Sequence, residues 1–150
     1  MPEIKKENFN KILYLDHIND PGNMGTMIRT ALAFNFDAVI ISEDSVSIYN
    51  DKTLAACKGA NYLIPVFVDD IYKYKKDHIM IASTLSEKSI NVNDLKLDND
   101  KFILVLGNEA RGISEGIKNN ADIFVKIPIS NIDSLNVSVA ASILMYELSK

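Results

Sequence analysis

Three polar segments interrupt an otherwise apolar pattern, each lying after or near a run that reads as a strand. The first covers residues 19–29, from Asn19 to Arg29. Pro21 and Gly22 predict a turn, and Asn23 suits the N-cap of a helix that follows. Gly25 and Arg29 then fall one helical turn apart, off the Met24/Ile28/Leu32 stripe. Glycine leaves bare backbone open to close approach, and a guanidinium near helix N-terminal amides suits a phosphate. An ordinary capped helix with a surface arginine has the same spacing. The second segment, Gly107-Asn108-Glu109-Ala110-Arg111-Gly112, leads from a buried strand towards a helix. Glu109 is placed to organise hydrogen bonds and Arg111 to clamp a substrate. The segment is neither G-x-G-x-x-G nor a P-loop, and a strand–turn–helix joint with solvated charges reads the same way. In the third, Ile127-Pro128-Ile129 closes a strand, and Asp133 or Ser134 is the expected cap of the last helix. Asn136 stands in the first turn of that helix among apolar neighbours, so its amide needs partners, in a structural bridge or in a site.

Other chemistry-bearing residues are isolated. His17 and His78 have no companions at ligand spacing, so neither a metal site nor a nucleophilic triad is expected. Cys57 is the single cysteine, which excludes an internal disulfide framework, and it reads as a small core residue. Asp69 and Asp70 read as a helix N-cap.

Short apolar runs alternating with amphipathic stretches must position these segments. The pattern predicts an α/β domain with a mostly parallel sheet flanked by helices. Strands are expected over 12–15, 38–41, 64–68, 79–82, 102–106 and 123–127. Helices are expected over 24–35, 54–58, 69–76, 113–119 and 135–148, and 86–101 reads as irregular surface. Open sheets of this kind place ligands beyond the carboxyl ends of their strands, where all three polar segments fall. The last helix is apolar nearly all round, with only Ser134, Ser138 and Ser142 forming a polar stripe. Such a helix must be covered on nearly all sides, and a second copy of the chain is the natural cover.

Bulk properties set limits. The 150 residues carry a net charge of −4, with 47% apolar and 24% charged side chains. That is ordinary for a single globular domain, and no apolar run approaches the ~18 residues of a membrane span. Residues 1–11 carry charges without an apolar core, so no secretory signal is expected and the cytoplasm is the expected compartment. An acidic chain has no broad basic footprint, which leaves local lysine clusters (Lys5, Lys6 and Lys11; Lys73, Lys75 and Lys76) as the available positive charge.

Taken together, the three segments resemble the motifs of the SpoU-type (TrmH-like) methyltransferases of the SPOUT superfamily. Asn23, Gly25 and Arg29 match N-x-G-x-x-x-R. The run from Leu104 to Gly112, with Gly107 and Glu109, resembles L-x-x-G-x-E-x-x-G. Ile127-Pro128-Ile129 and Ser134-Leu135-Asn136-Val137-Ser138 resemble I-P-M…S-L-N-V-S, and the order and separation of all three agree. The resemblance implies an α/β knot with a deep C-terminal trefoil, an obligate homodimer, and transfer of methyl from S-adenosylmethionine to a ribose 2′-hydroxyl of tRNA or rRNA. It implies a single catalytic domain over 1–150 without a separate N-terminal RNA-binding domain. Carried over, the cofactor positions are Thr84, Leu85, Gly107, Ile127 and Leu135, recognised largely through backbone. The catalytic set is Arg29, Asn23, Glu109, Asn136 and Ser134, and Arg29, Arg111 and Lys58 are the substrate-binding candidates. A guanidinium stays protonated near neutrality, so stabilising a developing alkoxide and clamping a phosphate is an easier role for Arg29 than that of base. The chain departs from the family in the loop after Ile129, where Asn131 stands near a usual glycine and the loop is one residue shorter. Ala55 and Cys57 replace an arginine and a serine, leaving Lys52 or Lys58 to supply that charge. A non-catalytic SpoU-like domain binding RNA or a partner is the alternative, and a plain doubly wound nucleotide-binding module ranks last.

Overall fold

The computed structural model describes residues 9–150, and the N-terminal stretch with Lys5 and Lys6 lies outside them. The central strands form because their sequences are continuously apolar and suit burial on both faces of a parallel sheet. These are β1 (Lys11–Leu15) and its neighbour in space, β6 (Phe102–Leu106), whose five residues are all buried. Around them lie β2 (Ala38–Ile41), β3 (Val66–Val68), β4 (Ile79–Ser83), β5 (Ile90–Asn91) and β7 (Ile123–Lys126). The seven strands are ordered β3-β2-β1-β6-β4-β7-β5, and every pairing is parallel.

Alternation along the strands divides the core in two. Leu13, Leu15, Leu104 and Leu106 face one side, where α1 (Pro21–Ala33), α2 (Asp51–Cys57) and α4 (Val137–Leu148) cover them. Ile12, Tyr14, Ile103 and Val105 face the other side, against the 3-10 turn Ile71–Tyr74 and α3 (Glu115–Asn120). On α1, Met24, Met27 and Ile28 are completely buried, each worth about 1.5–3 kcal/mol of transfer free energy. The chain runs outward from β1 to β3 and resumes on the other side of β1. Order therefore reverses at the β1/β6 junction, where a crevice opens above an α/β sheet.

Several local expectations are corrected. Helix α1 begins at Pro21, with Asp20 as its N-cap accepting from the Asn23 N–H at 2.8 Å. Proline is well placed in the first helical turn, because its missing N–H has no partner there anyway. Gly25 is buried rather than open to a ligand. A Cβ there would lie 2.4 Å from the Thr53 carbonyl oxygen and 2.5 Å from the Ala56 Cβ, so α2 makes the close approach. The expected helix over 69–76 is the shorter 3-10 turn, capped by Asp70. Within 86–101 the chain adds the edge strand β5 and a 3-10 turn at Val92–Asp94, with Val92 buried. Two residues of strand leave too short a pattern for alternation to show. The last helix starts at Val137, with Asn136 as its N-cap in place of Asp133 or Ser134.

Candidate functional site

The loop following β6 is closed on itself. Asn108 and Gly112 exchange backbone hydrogen bonds, both 2.9 Å, and Gly112 turns the chain at a φ of +73°. Gly107 sits so close beneath that any Cβ would lie 2.4 Å from the Gly112 carbonyl carbon and the Ile113 nitrogen. The buried Asn108 side chain fixes the loop from inside. Its Oδ1 accepts from the N–H groups of Ala110 and Arg111 at 2.9 Å, and its Nδ2 donates to the His17 carbonyl at 2.7 Å. Sequence reasoning missed Asn108; its signal was a turn-favouring residue directly after a strand-end glycine. Asp16, 3% exposed, was missed too, and its Oδ2 accepts from the Ser114 N–H at 2.7 Å.

Beside this loop a cleft of about 380 Å³ opens at the carboxyl ends of β4, β6 and β7. That volume is within the ~300–1,000 Å³ of small-molecule sites. Its wall brings together Thr84, Leu85, Gly107, Ile127 and Leu135, which were drawn from three separate stretches of sequence. Ser134, Glu109 and Arg111 also line it. So do Ile129 and Val137 of the third motif and Ala140, three residues that the sequence did not place among the cofactor or substrate positions. Residues 128–134 form no backbone hydrogen bond with other described residues, so their amides and carbonyls are free to meet a ligand. Asn131 in this loop has a φ of +71°. Asparagine tolerates that left-handed region better than most side chains, which accounts for its standing near a family glycine.

Glu109 spans the cleft mouth to the start of α1. Its carboxylate accepts from the Asn19 N–H at 3.2 Å and the Asp20 N–H at 3.1 Å. At the third motif the Asn136 Oδ1 accepts from the N–H groups of Ser138 and Val139, capping α4. Its Nδ2 donates to the Asn23 Oδ1 at 3.3 Å. Asn136 is thus exposed and bridges two helices rather than buried within one. Arg29 projects from α1 with its side chain exposed and with no hydrogen bond or ion pair among the described residues. Neither Arg29, Asn23, Asn136 nor Lys58 lines the cleft itself. Lys58 sits apart as the left-handed C-cap of α2. Cys57 lies in the core, where burial pushes its thiol up. Among the described residues no group of three carboxylate, imidazole or thiol side chains could hold a metal ion. No helix among them is long and apolar enough to cross a membrane.

The parallel sheet carries a strand-end cleft walled by a glycine-closed loop, a proline-ended strand and an asparagine-capped helix, the segments that hold the three SpoU-like motifs. Residues 10–146 match the SpoU rRNA Methylase family, and the chain belongs to it. It is 34% identical to the Bacillus subtilis 23S rRNA (guanosine(2553)-2′-O)-methyltransferase RlmP, over 99% of this chain and 61% of that protein. It is 36% identical to an uncharacterized tRNA/rRNA methyltransferase of Borreliella burgdorferi, over 97% of this chain and 66% of the relative. The crystal structure of an AdoMet-bound rRNA methyltransferase from Sinorhizobium meliloti superposes with a TM-score of 0.85 at 26% identity, covering 93% of this chain and 55% of that one. The chain thus spans somewhat under two thirds of the length of these relatives.

Proposed function

We propose that this chain is an S-adenosylmethionine-dependent methyltransferase acting on a ribose 2′-hydroxyl of tRNA or rRNA. The observation that carries the reading is the single cleft in which Thr84, Leu85, Gly107, Ile127 and Leu135 meet beneath a loop with unbonded backbone groups. The fit to the cofactor is chemical. Apolar side chains such as Leu85, Ile127 and Leu135 suit an adenine ring, and backbone amides and carbonyls suit its edges and the ribose. Bound there, S-adenosylmethionine supplies an electrophilic methyl group. The residues of the chain then have two tasks, alignment of the hydroxyl and management of its proton. Glu109 holds the first turn of α1 against the cleft, and the Asn23–Asn136 bond holds α4 to the same turn. Ser134 stands on the cleft wall, where its hydroxyl can meet the substrate. Arg29, unpaired among the described residues, stabilises developing negative charge or grips a neighbouring phosphate, and Arg111 offers a second cationic contact.

The described residues form one sheet with a core on each face, which supports reading 1–150 as one catalytic domain, and the likeness to RNA-modifying relatives supports a place in the cytoplasm. β7 lies between β4 and β5, two strands that precede it in the chain, and that insertion supports the expected C-terminal knot. The exposed stripe Val139, Ile143 and Tyr146 on α4 supports a homodimer.

Calorimetric titration with S-adenosylmethionine and S-adenosylhomocysteine, followed by methyl-transfer assays on tRNA and rRNA, tests the reading. Saturable binding with ribose methylation is expected. Binding without turnover on any RNA would favour a non-catalytic RNA- or partner-binding domain. No binding by the folded protein at millimolar ligand would overturn the cofactor assignment.

A further inference from the structure

A second cavity, of about 500 Å³, lies at the carboxyl ends of β1, β2 and β3, on the sheet face opposite α1 and α4. Its chemistry is unlike that of the methyl-transfer cleft. Asp16, Glu43, Asp44, Asp69 and Asp70 line it, with Lys73 as its single lysine. Lys73 is neutralised by Asp69 at 2.9 Å, and Asp44 pairs with His17 Nε2. The Glu43 carboxylate makes no hydrogen bond or ion pair among the described residues.

Tyr14 supplies the independent observation. It is 8% exposed, it lines the cavity, and its phenol makes no hydrogen bond among the described residues. Its charged and polar neighbours Asp16, Tyr72, Asp44 and Asp70 all belong to the same wall. With the rest of the side chain buried, the unpartnered hydroxyl is the part that opens onto the cavity, where it can accept a hydrogen bond from a ligand.

We propose that this cavity binds an organic polycation of the linear polyamine class. Three features select that chemistry. The wall is strongly anionic, which repels phosphate and therefore RNA backbone. No three of its carboxylates converge as a metal ion requires, so the negative charge is spread along the cavity. A chain of separated ammonium groups matches spread charge, each group donating to carboxylates and to the Tyr14 oxygen. The site is also linked to the loop that walls the methyl-transfer cleft, because Asp16 accepts from Ser114 just past that loop and the carbonyl of His17 accepts from Asn108 within it.

The test is calorimetric titration of the full chain with spermidine at fixed ionic strength, with Tyr14→Phe and Glu43→Gln alongside. Neither residue belongs to the methyl-transfer site, and phenylalanine keeps the Tyr14 ring in the core. One spermidine per chain is expected. Tyr14→Phe should weaken it about tenfold to a hundredfold, the effect of one hydrogen bond to a charged donor. Glu43→Gln should weaken it comparably. Absence of saturable binding, or affinities unchanged in both variants, would overturn the proposal. Complete displacement by equimolar magnesium would overturn it as well, by showing a metal site.

Discussion

Asn136 donates its side-chain amide to the Asn23 Oδ1 across 3.3 Å, joining residues 113 positions apart in the chain. One end of Asn136 caps α4 while the other reaches α1, so the two roles can be separated. Asn136→Asp keeps an acceptor for Ser138 and Val139 and loses the donor to Asn23. It should unfold near the wild-type urea midpoint yet lose most methyl transfer. Asn136→Ala loses the cap too and should cost about 1 kcal/mol of stability. Equal stability loss in both variants would show that the contact to Asn23, and not the cap, dominates.

Arg29 has no partner inside the described chain, so its removal should leave the fold unharmed. Arg29→Ala is expected to unfold within about 0.5 kcal/mol of wild type. Cofactor affinity should stay near normal, and kcat should fall by roughly 10²–10³, the usual effect of losing one charge-stabilising group. Stopped methyl transfer with intact cofactor titration is the expected pairing. Full turnover would remove Arg29 from the active site.

Two glycines of one loop are required for different reasons. Gly107 has no room, since a Cβ would press on backbone atoms of Gly112 and Ile113 at 2.4 Å. Gly112 has open space but a φ of +73°. Gly107→Ala should cost about 1–3 kcal/mol by overpacking and abolish cofactor binding. Gly112→Ala should cost about 1–2 kcal/mol through backbone strain alone and weaken binding less. Thermal unfolding with and without S-adenosylhomocysteine distinguishes them. A larger ligand effect lost in Gly112→Ala than in Gly107→Ala would contradict the geometry.

The central strands were legible because burial on both faces makes the runs at 38–41 and 102–106 uninterrupted. The three motifs were legible because each follows an element whose periodicity is clear. Caps were misread where two good candidates stand near each other. Asp20 and Asn23 are both capping types, as are Asp133, Ser134 and Asn136, and tertiary contacts choose among them. Gly25 was misread because sequence shows that a close approach is allowed without showing that α2 makes it. The structural role of Asn108, set by the carbonyl of His17, depends on a contact across 91 residues that no local pattern contains.

Burial, reinforced by Asp16, Tyr72, Asp44 and Asp70, raises the Tyr14 phenol above its ordinary value. Burial and the hydrogen bond to Asp69 raise Tyr74 in the same direction. The folded state therefore holds these protons more tightly than the unfolded chain. Their contribution is complete below the unfolded value of about 10 and is lost as pH rises towards the folded values. Stability should fall above about pH 10, less steeply in Tyr14→Phe. Urea midpoints measured across that range check the sign, and parallel slopes for the two proteins would sink the assignment to Tyr14.

Val139, Ile143 and Tyr146 recur at helical spacing on α4 and are 48%, 36% and 52% exposed. A stripe of three large apolar residues on a helix otherwise packed into the core calls for a cover. A second copy supplies one if the contact extends to the ~800 Å² per partner of a stable interface. Tyr146 also packs on Phe34 at 5.7 Å, so a change there would disturb the monomer's own core. Ile143 is the cleaner position. Ile143→Glu should sediment as a folded monomer while wild type sediments as a dimer, and methyl transfer should fall with the dimer fraction. A monomeric wild type at micromolar concentration would leave the stripe uncovered and remove the dimer from the proposed mechanism.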